Sequence, residues 1–394
     1  MALLPIPSPQ AQALSQQLSD LIQQKIKNAG GWISFADFMH MALYTPGLGY
    51  YSGGATKFGL AGDFVTAPEI SPLFAKTLAL QAAQILAATQ GAILELGAGT
   101  GKLAADLLLE LENLNSLPSQ YFILEVSDHL RQIQLETLQK KLPADLFNKV
   151  TWLETLPPSP QPSPARGEGV DFVGLILANE VLDAIPVYLI VNTSQGLHER
   201  GVSFDGDFIW QDKPLAKGKL HDEVSAYSLP IDYLTEVCPA ASALILSLAE
   251  MLENGVILLV DYGFGAAEYY HPQRNQGTLM CHYQHYAHDN PLINIGLQDI
   301  TAHVNFTQIA HAGQAHGIRL AGYVNQAQFL INCGILTILQ QFSPQDSSYI
   351  KLAAAAQKLL SPAEMGELFK VIAFSKNFDE DLIGFISGDK AHTL

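Results

Sequence analysis

The chain has 394 residues, of which 48% are hydrophobic and 15% are charged. This composition excludes a disordered chain, and the length allows one enlarged domain or a domain with a cap. The formal net charge of −17 disfavours a nucleic-acid partner, since such proteins usually present a basic face; it indicates simple solubility or, as the alternative, a basic partner.

The N-terminal part predicts a cytoplasmic protein without membrane insertion. Residues 1–9 resemble neither a secretory signal nor an organelle presequence, and no apolar run reaches membrane-spanning length. The three cysteines are far apart, which disfavours a disulfide framework and favours a reducing compartment. Apolar spacing over 10–29 predicts an amphipathic helix, whereas residues 32–70 show few regular signals. Ser71 and Pro72 then predict the N-terminus of another helix.

A short buried strand over 93–96 runs into the most informative segment, Gly97–Gly101, which turns tightly into a helix that begins near Lys102. Glycine is needed there because a Cβ would block both the turn and the approach of a ligand to the backbone. N–H groups at the start of the helix can bind a polar ligand.

Strands and helices alternate after this turn. Strands are predicted at 121–127, 150–153, 170–179 and 255–263, and helices at 102–113, 128–142 and 241–253. Near-continuous apolar strands in this order predict an α/β fold with a doubly wound, mostly parallel sheet. Two closing strands are predicted at 318–324 and 369–375, and Ser361–Glu364 between them has the form of a capping box.

Two segments interrupt the alternation. Residues 157–169 are rich in Pro, Ser and Gly and predict a flexible surface insertion. Alternating apolar residues on either side of Asp205 and Gly206 predict a β-hairpin that belongs to a cap. We therefore expect an N-terminal extension over 1–70 that covers a cofactor site, and a main domain over 71–394 with cap elements at 187–240 and 264–316.

The glycine turn predicts a nucleoside-binding site. Gly97, Gly99 and Gly101 do not fit the G-x-G-x-x-G dinucleotide pattern, which makes a nicotinamide dehydrogenase the weakest alternative. The G-x-G-x-G form after a strand that carries Glu95 is typical of S-adenosyl-L-methionine (SAM) sites. Glu125, with Val126 beside it, ends the next strand and can accept hydrogen bonds from ribose hydroxyls. An ordinary strand–helix turn is the structural alternative.

A polar loop before the second predicted helix supplies further candidates for cofactor binding, namely Gly62, Asp63, Thr66 and Ser71. These side chains could close over the amino-acid end of the cofactor. The alternative is a plain structured loop.

Acidic and amide groups follow the strand at 170–179. Ligands of open parallel sheets bind beyond the carboxyl ends of the strands, so Asn179, Glu180 and Asp183 are catalytic candidates, and Asn179 is also a cofactor contact. If the substrate is a guanidinium, these carboxylates could bind it by two parallel hydrogen bonds. If the substrate is a hydroxyl, Glu180 could instead act as general base. A helix N-cap is the structural alternative for Asn179 and Glu180.

Residues 277–306 contain Cys281, His282, His285 and His288. Their spacing matches no established zinc pattern, so no metal site is predicted. We expect this segment to line a substrate pocket, with His282 as a further catalytic candidate; single histidines can also be satisfied surface or core residues.

Several motifs together resemble the MidA-type class I SAM-dependent methyltransferases, the family of the mitochondrial complex I assembly protein-arginine methyltransferase. The matching segments, in the family's order, are 62–71 (GDFVTAPEIS), 95–101 (ELGAGTG), 125–127 (EVS), 179–186 (NEVLDAIP), 261–263 (DYG) and 298–304 (QDITAHV). The chain departs from the family pattern at the insertion 157–169.

The resemblance implies a seven-stranded sheet with an antiparallel last strand, inserted cap elements and SAM as methyl donor. It also implies a protein arginine as acceptor, with a respiratory complex I subunit as one possible target. The lack of an organelle presequence makes the chain look like a bacterial relative. Two other functions stay open, a small-molecule O-methyltransferase and a non-catalytic SAM-binding assembly factor.

Overall fold

The structure is a computed structural model that describes residues 4–53, 66–156, 171–345 and 347–394, with the backbone alone at residues 347 and 348. The predicted insertion 157–169 and the candidates Gly62 and Asp63 lie outside the described residues. Contacts group the chain into two compact units. Unit 1 is Met1–Phe64, Leu182–Ala241 and Ala266–Val304; unit 2 is Val65–Val181, Ser242–Gly265 and Asn305–Leu394.

The helices of the described residues follow in chain order: α1 (Pro9–Asn28), α2 (Phe35–Tyr44), α3 (Ala67–Ile70), α4 (Pro72–Thr89), α5 (Lys102–Asn113), α6 (Asp128–Lys141), α7 (Ala144–Phe147), α8 (Lys219–Ser225), α9 (Pro239–Met251), α10 (Ala266–Tyr269), α11 (Phe306–Ala315), α12 (Gln326–Asn332), α13 (Ile335–Gln340) and α14 (Ser347–Leu360). Two 3-10 turns, Ile383–Phe385 and Ala391–Thr393, lie near the C-terminus. None of these described helices combines the length and the apolar character needed to cross a bilayer.

The strands of the same residues are β1 (Ile33–Ser34), β2 (Ala92–Leu96), β3 (Tyr121–Leu124), β4 (Val150–Leu153), β5 (Phe172–Asn179), β6 (Tyr188–Thr193), β7 (Gly196–Asp205), β8 (Asp207–Pro214), β9 (Tyr233–Val237), β10 (Leu252–Phe264), β11 (Met280–Tyr283), β12 (Tyr286–His288), β13 (Asp299–Thr301), β14 (Val304–Asn305), β15 (Arg319–Asn325) and β16 (Phe369–Lys376).

Unit 2 is built on a doubly wound sheet. Its strands follow in the order β15-β16-β10-β5-β2-β3-β4. The pairs from β4 to β10 are parallel, whereas β16 runs antiparallel to both β10 and β15. The chain leaves β2 for β3 on one side and returns to β5 on the other, so the strand order reverses at β2, where open sheets bind ligands. The predicted α/β class and the antiparallel last strand are confirmed.

The core of unit 2 explains why this sheet forms. The central strands are apolar almost throughout, and every residue of β2 is buried. The helices cover the sheet with apolar side chains, among them Leu78 and Ile85 of α4 and Leu107 and Leu111 of α5, all fully buried. Burial at about 25 cal/mol per Å² of apolar surface makes this cluster the main stabilising term of the unit.

Unit 1 contains two smaller sheets. One has the order β1-β7-β6-β9 with β8 paired to β7, and the other has the order β12-β11-β13. The predicted hairpin is confirmed, because Phe204 of β7 pairs with Phe208 of β8 across Gly206. Leu18, Ile22 and Ile26, on one face of α1, are buried in the core of this unit.

Two local predictions were wrong. Residues 32–70, which showed few regular signals, contain the helix α2, whose Ser34 side chain accepts a hydrogen bond from the Asp37 N–H. The capping box at Ser361–Glu364 starts no helix: α14 ends at Leu360, and the Gly366 N–H donates to the Ser361 carbonyl in a turn. A Cβ at Gly366 would lie 2.2 Å from the Leu360 carbonyl oxygen, so this turn requires glycine.

Candidate functional site

The carboxyl ends of three strands of unit 2 meet at one edge of the sheet. Leu96 of β2 pairs with Leu124 of β3 and with Ala178 of β5. The next residue of each strand, respectively Gly97, Glu125 and Asn179, therefore stands at the same level. The structure thus brings together the glycine turn, Glu125 as the predicted partner of a ribose, and Asn179.

The glycines of the turn are all in the left-handed region. The φ angles of Gly97, Gly99 and Gly101 are 60°, 53° and 79°, a conformation that costs other residues about 1–2 kcal/mol. A Cβ at Gly99 would meet no atom of the described residues within 4 Å, so none of these residues fills that side of the turn. Gly101 is the N-cap of α5 and offers no capping side chain, which leaves the first N–H groups of that helix for a polar ligand.

Glu125 is buried and held on both oxygens. Oε1 accepts a hydrogen bond from the Ser127 N–H at 2.9 Å, and Oε2 accepts one from Gln134 Nε2 at 2.8 Å. Burial raises the pKa of Glu125, while these hydrogen bonds lower it. A carboxylate has about four acceptor positions, and the Val126 N–H also bonds this one, so it retains an acceptor for a ribose hydroxyl.

Val126 is 70% exposed although it is apolar and follows a buried acid. Ser127 caps the next helix, α6, and fixes the chain on the far side of Val126. An exposed aliphatic side chain next to a ribose ligand offers a flat apolar contact for a purine ring.

Glu95 faces the interior of the sheet. Its Oε2 accepts a hydrogen bond of 2.7 Å from the Tyr121 hydroxyl. Burial raises the pKa of Glu95 to about 7; the Tyr121 hydrogen bond lowers it, and the Glu125 carboxylate raises it. Glu95 thus stands in the strand that leads into the glycine turn and is hydrogen-bonded to the neighbouring strand β3.

The segment 66–71 is tied to the glycine turn by side chains. Glu69 Oε1 accepts a hydrogen bond of 2.5 Å from the Thr100 hydroxyl, and Lys102 Nζ donates to the Pro68 carbonyl at 2.6 Å. Of the predicted contacts in this segment, Thr66 precedes α3, and Ser71 caps α4 by accepting from the Leu73 N–H. The Ser71 hydroxyl is thus used by the helix, and the residues that join the two segments are Glu69 and Lys102.

Asn179 and Glu180 end β5 in a strained turn. Glu180 has a φ of 54°, which is unusual for a residue with a long side chain. Its Oε1 accepts from Asn179 Nδ2 at 3.1 Å and, more weakly, from the Ala67 N–H at 3.4 Å. The buried Asp261 fixes this turn, since its Oδ2 accepts from the Val181 N–H at 3.1 Å. Strain that the surroundings enforce is typical of functional sites.

Asp183 and His282, the other two catalytic candidates, belong to unit 1. There Asp183 lies close to Tyr51 and Asp299: burial raises the pKa of Tyr51 well above its usual value, and the charges of Asp299 and Asp183 raise it further. The Tyr51 hydroxyl donates to Asp299 Oδ1 at 2.9 Å, and His282 lies opposite Asp299 in the β11–β13 pair. Unit 1 thus gathers two of the predicted residues around an acid and a tyrosine that were not predicted.

The residues at the sheet edge of unit 2 fit SAM. No described residue fills the side of the turn at Gly99, Glu125 retains an acceptor for a ribose hydroxyl, and the buried Oδ1 of Asn179 has no hydrogen-bond partner among the described residues. A buried acceptor without a partner costs about 1–3 kcal/mol, and the amino group of the cofactor is a donor of the right kind. Gly97, Gly99, Gly101, Glu125, Val126 and Asn179 would hold the cofactor.

Several residues of these sites escaped the sequence analysis. Glu69, Asp261 and Asp299 stand in motifs that carry the family resemblance, so their positions were signalled although their roles were not. Gln134 lies in the middle of α6 and Tyr51 precedes the first gap in the described residues, and no motif marks either of them.

Comparison with known proteins gives consistent results. Residues 77–324 match a family model described as "Putative S-adenosyl-L-methionine-dependent methyltransferase". The protein arginine methyltransferase NDUFAF7, mitochondrial, of Mus musculus is 30% identical over 92% of this chain and 85% of its own length. The human protein of that name is also 30% identical, over 89% of this chain and 82% of its own length.

Solved structures match over the whole chain. A crystal structure of a Burkholderia thailandensis protein bound to S-adenosyl-homocysteine is 47% identical, with a TM-score of 0.94 and complete coverage of both chains. A native crystal structure from the same organism is 46% identical, with a TM-score of 0.91. This chain is therefore similar, from end to end, to a protein that binds the demethylated form of the expected cofactor.

Proposed function

The chain belongs to the family of S-adenosyl-L-methionine-dependent methyltransferases that the matching model describes, and from that premise we propose that it methylates an arginine side chain of a protein. The class of enzyme and the cofactor follow from the family and from the similar S-adenosyl-homocysteine complex. The names of the mouse and human relatives support an arginine as acceptor.

The observation that carries the proposal is the strained turn at Asn179 and Glu180. It places a carboxylate at the carboxyl end of β5, at the sheet edge that also holds Gly97 and Glu125. A carboxylate is the side chain that pairs best with a guanidinium, by two parallel hydrogen bonds. A turn that accepts left-handed strain at a glutamate indicates that the carboxylate itself is needed there.

Each residue then has a defined task. When bound, SAM would supply an activated methyl group to a nitrogen of the guanidinium, with S-adenosyl-homocysteine as the leaving group. Glu180 would bind the guanidinium and orient one nitrogen, and alignment of this kind can supply about 7–11 kcal/mol. Asn179 Nδ2 and the Ala67 N–H hold the Glu180 carboxylate, and Asp261 holds the backbone of the turn. Glu180 would also stabilise the cation while the attacking nitrogen releases its proton to solvent water.

We assign a supporting role to the acids of unit 1. Asp183 and Asp299 are 6% and 2% exposed, and the Tyr51 hydroxyl donates a hydrogen bond to Asp299. Buried acids beside tyrosine rings match the chemistry of a planar cation, which binds to carboxylates and to aromatic faces. The catalytic roles of Asp183 and His282 stay predictions.

The identity of the acceptor protein and the setting are part of the same proposal. A subunit of respiratory complex I is the acceptor that the family resemblance favours. The higher identity to the Burkholderia thailandensis protein supports a bacterial member. A cytoplasmic location stays a prediction.

Radiolabelled SAM, incubated with the protein and a cell extract, tests the proposal. A labelled protein band that yields methylarginine on hydrolysis is the expected result, and Glu180→Gln should abolish it while Glu136→Gln on the exposed side of α6 should not. Label in small molecules would instead indicate a metabolite methyltransferase. Absence of any label, with intact binding of S-adenosyl-homocysteine, would indicate a non-catalytic assembly factor.

A further inference from the structure

We propose that Gln134 is a positioning residue for the cofactor site, which holds the Glu125 carboxylate and the glycine turn in one fixed arrangement. Gln134 is fully buried in α6 and carries no motif. The inference rests on the proposed role of Glu125 as the ribose ligand.

The amide of Gln134 joins three elements. Its Nε2 donates to Glu125 Oε2 at 2.8 Å and to the Gly99 carbonyl at 3.1 Å, and its Oε1 accepts from Trp152 Nε1 at 2.9 Å. Both N–H groups and the oxygen of the amide are thereby hydrogen-bonded, and the two N–H groups bond the residues on either side of the expected ribose position. The amide connects the end of β3 to the glycine turn by a single side chain.

Trp152 determines which way the amide faces. An indole N–H can only donate, so the Gln134 carbonyl oxygen must face it and the NH₂ group must face Glu125 and Gly99. The reverse orientation would set two donors against each other at Trp152 and acceptors against each other at Glu125. The edge strand β4 thus fixes the geometry of the ribose ligand through Gln134.

Packing makes this arrangement rigid. A Cβ at Gly101 would lie 3.1 Å from the Gln134 Cα and 3.3 Å from its Cβ, so α6 rests directly on the glycine turn. The second oxygen of Glu125 is held by the Ser127 N–H. The hydrogen bond from Gln134 also lowers the pKa of Glu125 against the larger effect of burial.

Calorimetric binding to wild type and to Gln134→Met tests the inference. The two ligands are S-adenosyl-homocysteine and an analogue that lacks both ribose hydroxyls. Loss of a hydrogen bond to a charged group should weaken S-adenosyl-homocysteine binding about tenfold or more. Because Oε2 of Glu125 is then no longer held, the preference of wild type for the hydroxylated ligand should largely disappear. Gln132→Met is the matched control, since Gln132 is exposed on the same helix and its amide donates to the exposed Glu136.

The outcomes distinguish a positioning role of Gln134 from a role in folding alone. Equal losses for both ligands, or wild-type affinity in Gln134→Met, would overturn the inference. Should Gln134→Met fail to fold, Trp152→Phe decides, because it removes only the donor that orients the amide and should reduce the preference for the hydroxylated ligand in part. A wild type that binds both ligands equally would instead refute the role of Glu125, and with it the assignment on which the inference rests.

Discussion

The Thr100 hydroxyl donates a 2.5 Å hydrogen bond to the Glu69 carboxylate, and this contact joins the glycine turn to the short helix α3. The two residues are 31 positions apart, and each stands in a motif of the family. Lys102 makes a second connection between the same segments through the Pro68 carbonyl. The glycine turn is therefore held from the side of α3 by a carboxylate and from the side of α6 by an amide.

Thr100→Val should weaken cofactor binding without unfolding the protein. The variant keeps the shape of the side chain and removes the donor to Glu69, which corresponds to a loss of about 1 kcal/mol or about fivefold in the dissociation constant of S-adenosyl-homocysteine. Lys102 still connects the segments, so the loss should stay moderate. Calorimetry measures it. Thr151→Val, which removes a hydroxyl that bonds Gln120 at the sheet edge, should bind as wild type does; equal affinity in Thr100→Val would refute the role of this contact.

Glu180→Gln should lose at least about a hundredfold in turnover and keep its affinity for S-adenosyl-homocysteine within about twofold, since the amide can neither balance the guanidinium charge nor bind it in a bidentate manner. Turnover is measured on the labelled protein from the extract experiment. Glu136→Gln, a neutralised glutamate on the exposed side of α6, should retain both properties.

Glu180→Gly distinguishes the effect of the left-handed backbone at residue 180 from the effect of the Glu180 carboxylate. Glycine adopts a φ of 54° freely, so this variant should unfold at a temperature no lower than that of wild type while losing turnover as Glu180→Gln does. An active Glu180→Gly enzyme would show that the turn matters and the carboxylate does not.

Much of the fold could be predicted from the sequence because its elements are locally encoded. Parallel strands such as β5 and β10 are buried on both faces and therefore read as continuous apolar runs, and the glycine turn needs left-handed conformations that only glycine adopts cheaply. The helix α2 was missed because its aromatic residues are weak helix formers; burial of Phe35 and Phe38 in unit 1 stabilises it instead.

The residues expected to contact the cofactor could be predicted from the sequence, whereas the residues that hold them in place could not. Glu125 follows a strand at a position that the fold makes functional, whereas its partner Gln134 is one of several glutamines on an ordinary helix. Nothing local distinguishes Gln134 from Gln132; the difference arises only when α6 packs on the glycine turn. The same applies to Tyr121, which contacts Glu95 from the neighbouring strand.

Stability should depend on pH through Glu95. Burial raises the pKa of Glu95 from its ordinary value of 4.5 to about 7, so its contribution to the free energy of unfolding is fully present below about pH 4.5 and is lost as the pH rises through about 7. Glu95→Gln stays neutral, and at pH 8 it should be more stable than wild type by up to about 3 kcal/mol, with little difference at pH 4.5. Thermal unfolding at both pH values measures this. Glu136→Gln should show the same pH dependence of stability as wild type. If Glu95→Gln loses as much stability as wild type between pH 4.5 and pH 8, Glu95 is excluded as the cause.

Gly277→Ala should destabilise unit 1 far more than the backbone conformation alone explains. Gly277 has a φ of 73°, and a Cβ there would lie 2.2 Å from Glu236 Oε1. That buried oxygen accepts hydrogen bonds from the Thr278 and Leu279 N–H groups at 2.7 and 3.0 Å. An added methyl group must displace the carboxylate from these donors, at a cost of at least about 2 kcal/mol beyond the backbone strain.

Gly30→Ala is the matched control, because Gly30 also belongs to unit 1, has a φ of 79° and has nothing within 4 Å of its Cβ position. It should cost only the left-handed strain of about 1–2 kcal/mol. Chemical denaturation of both variants gives the difference. If the two alanines cost the same, the Glu236 carboxylate moves freely and does not fix the segment after α10; if Gly277→Ala costs several kcal/mol more, this carboxylate anchors that segment to β9.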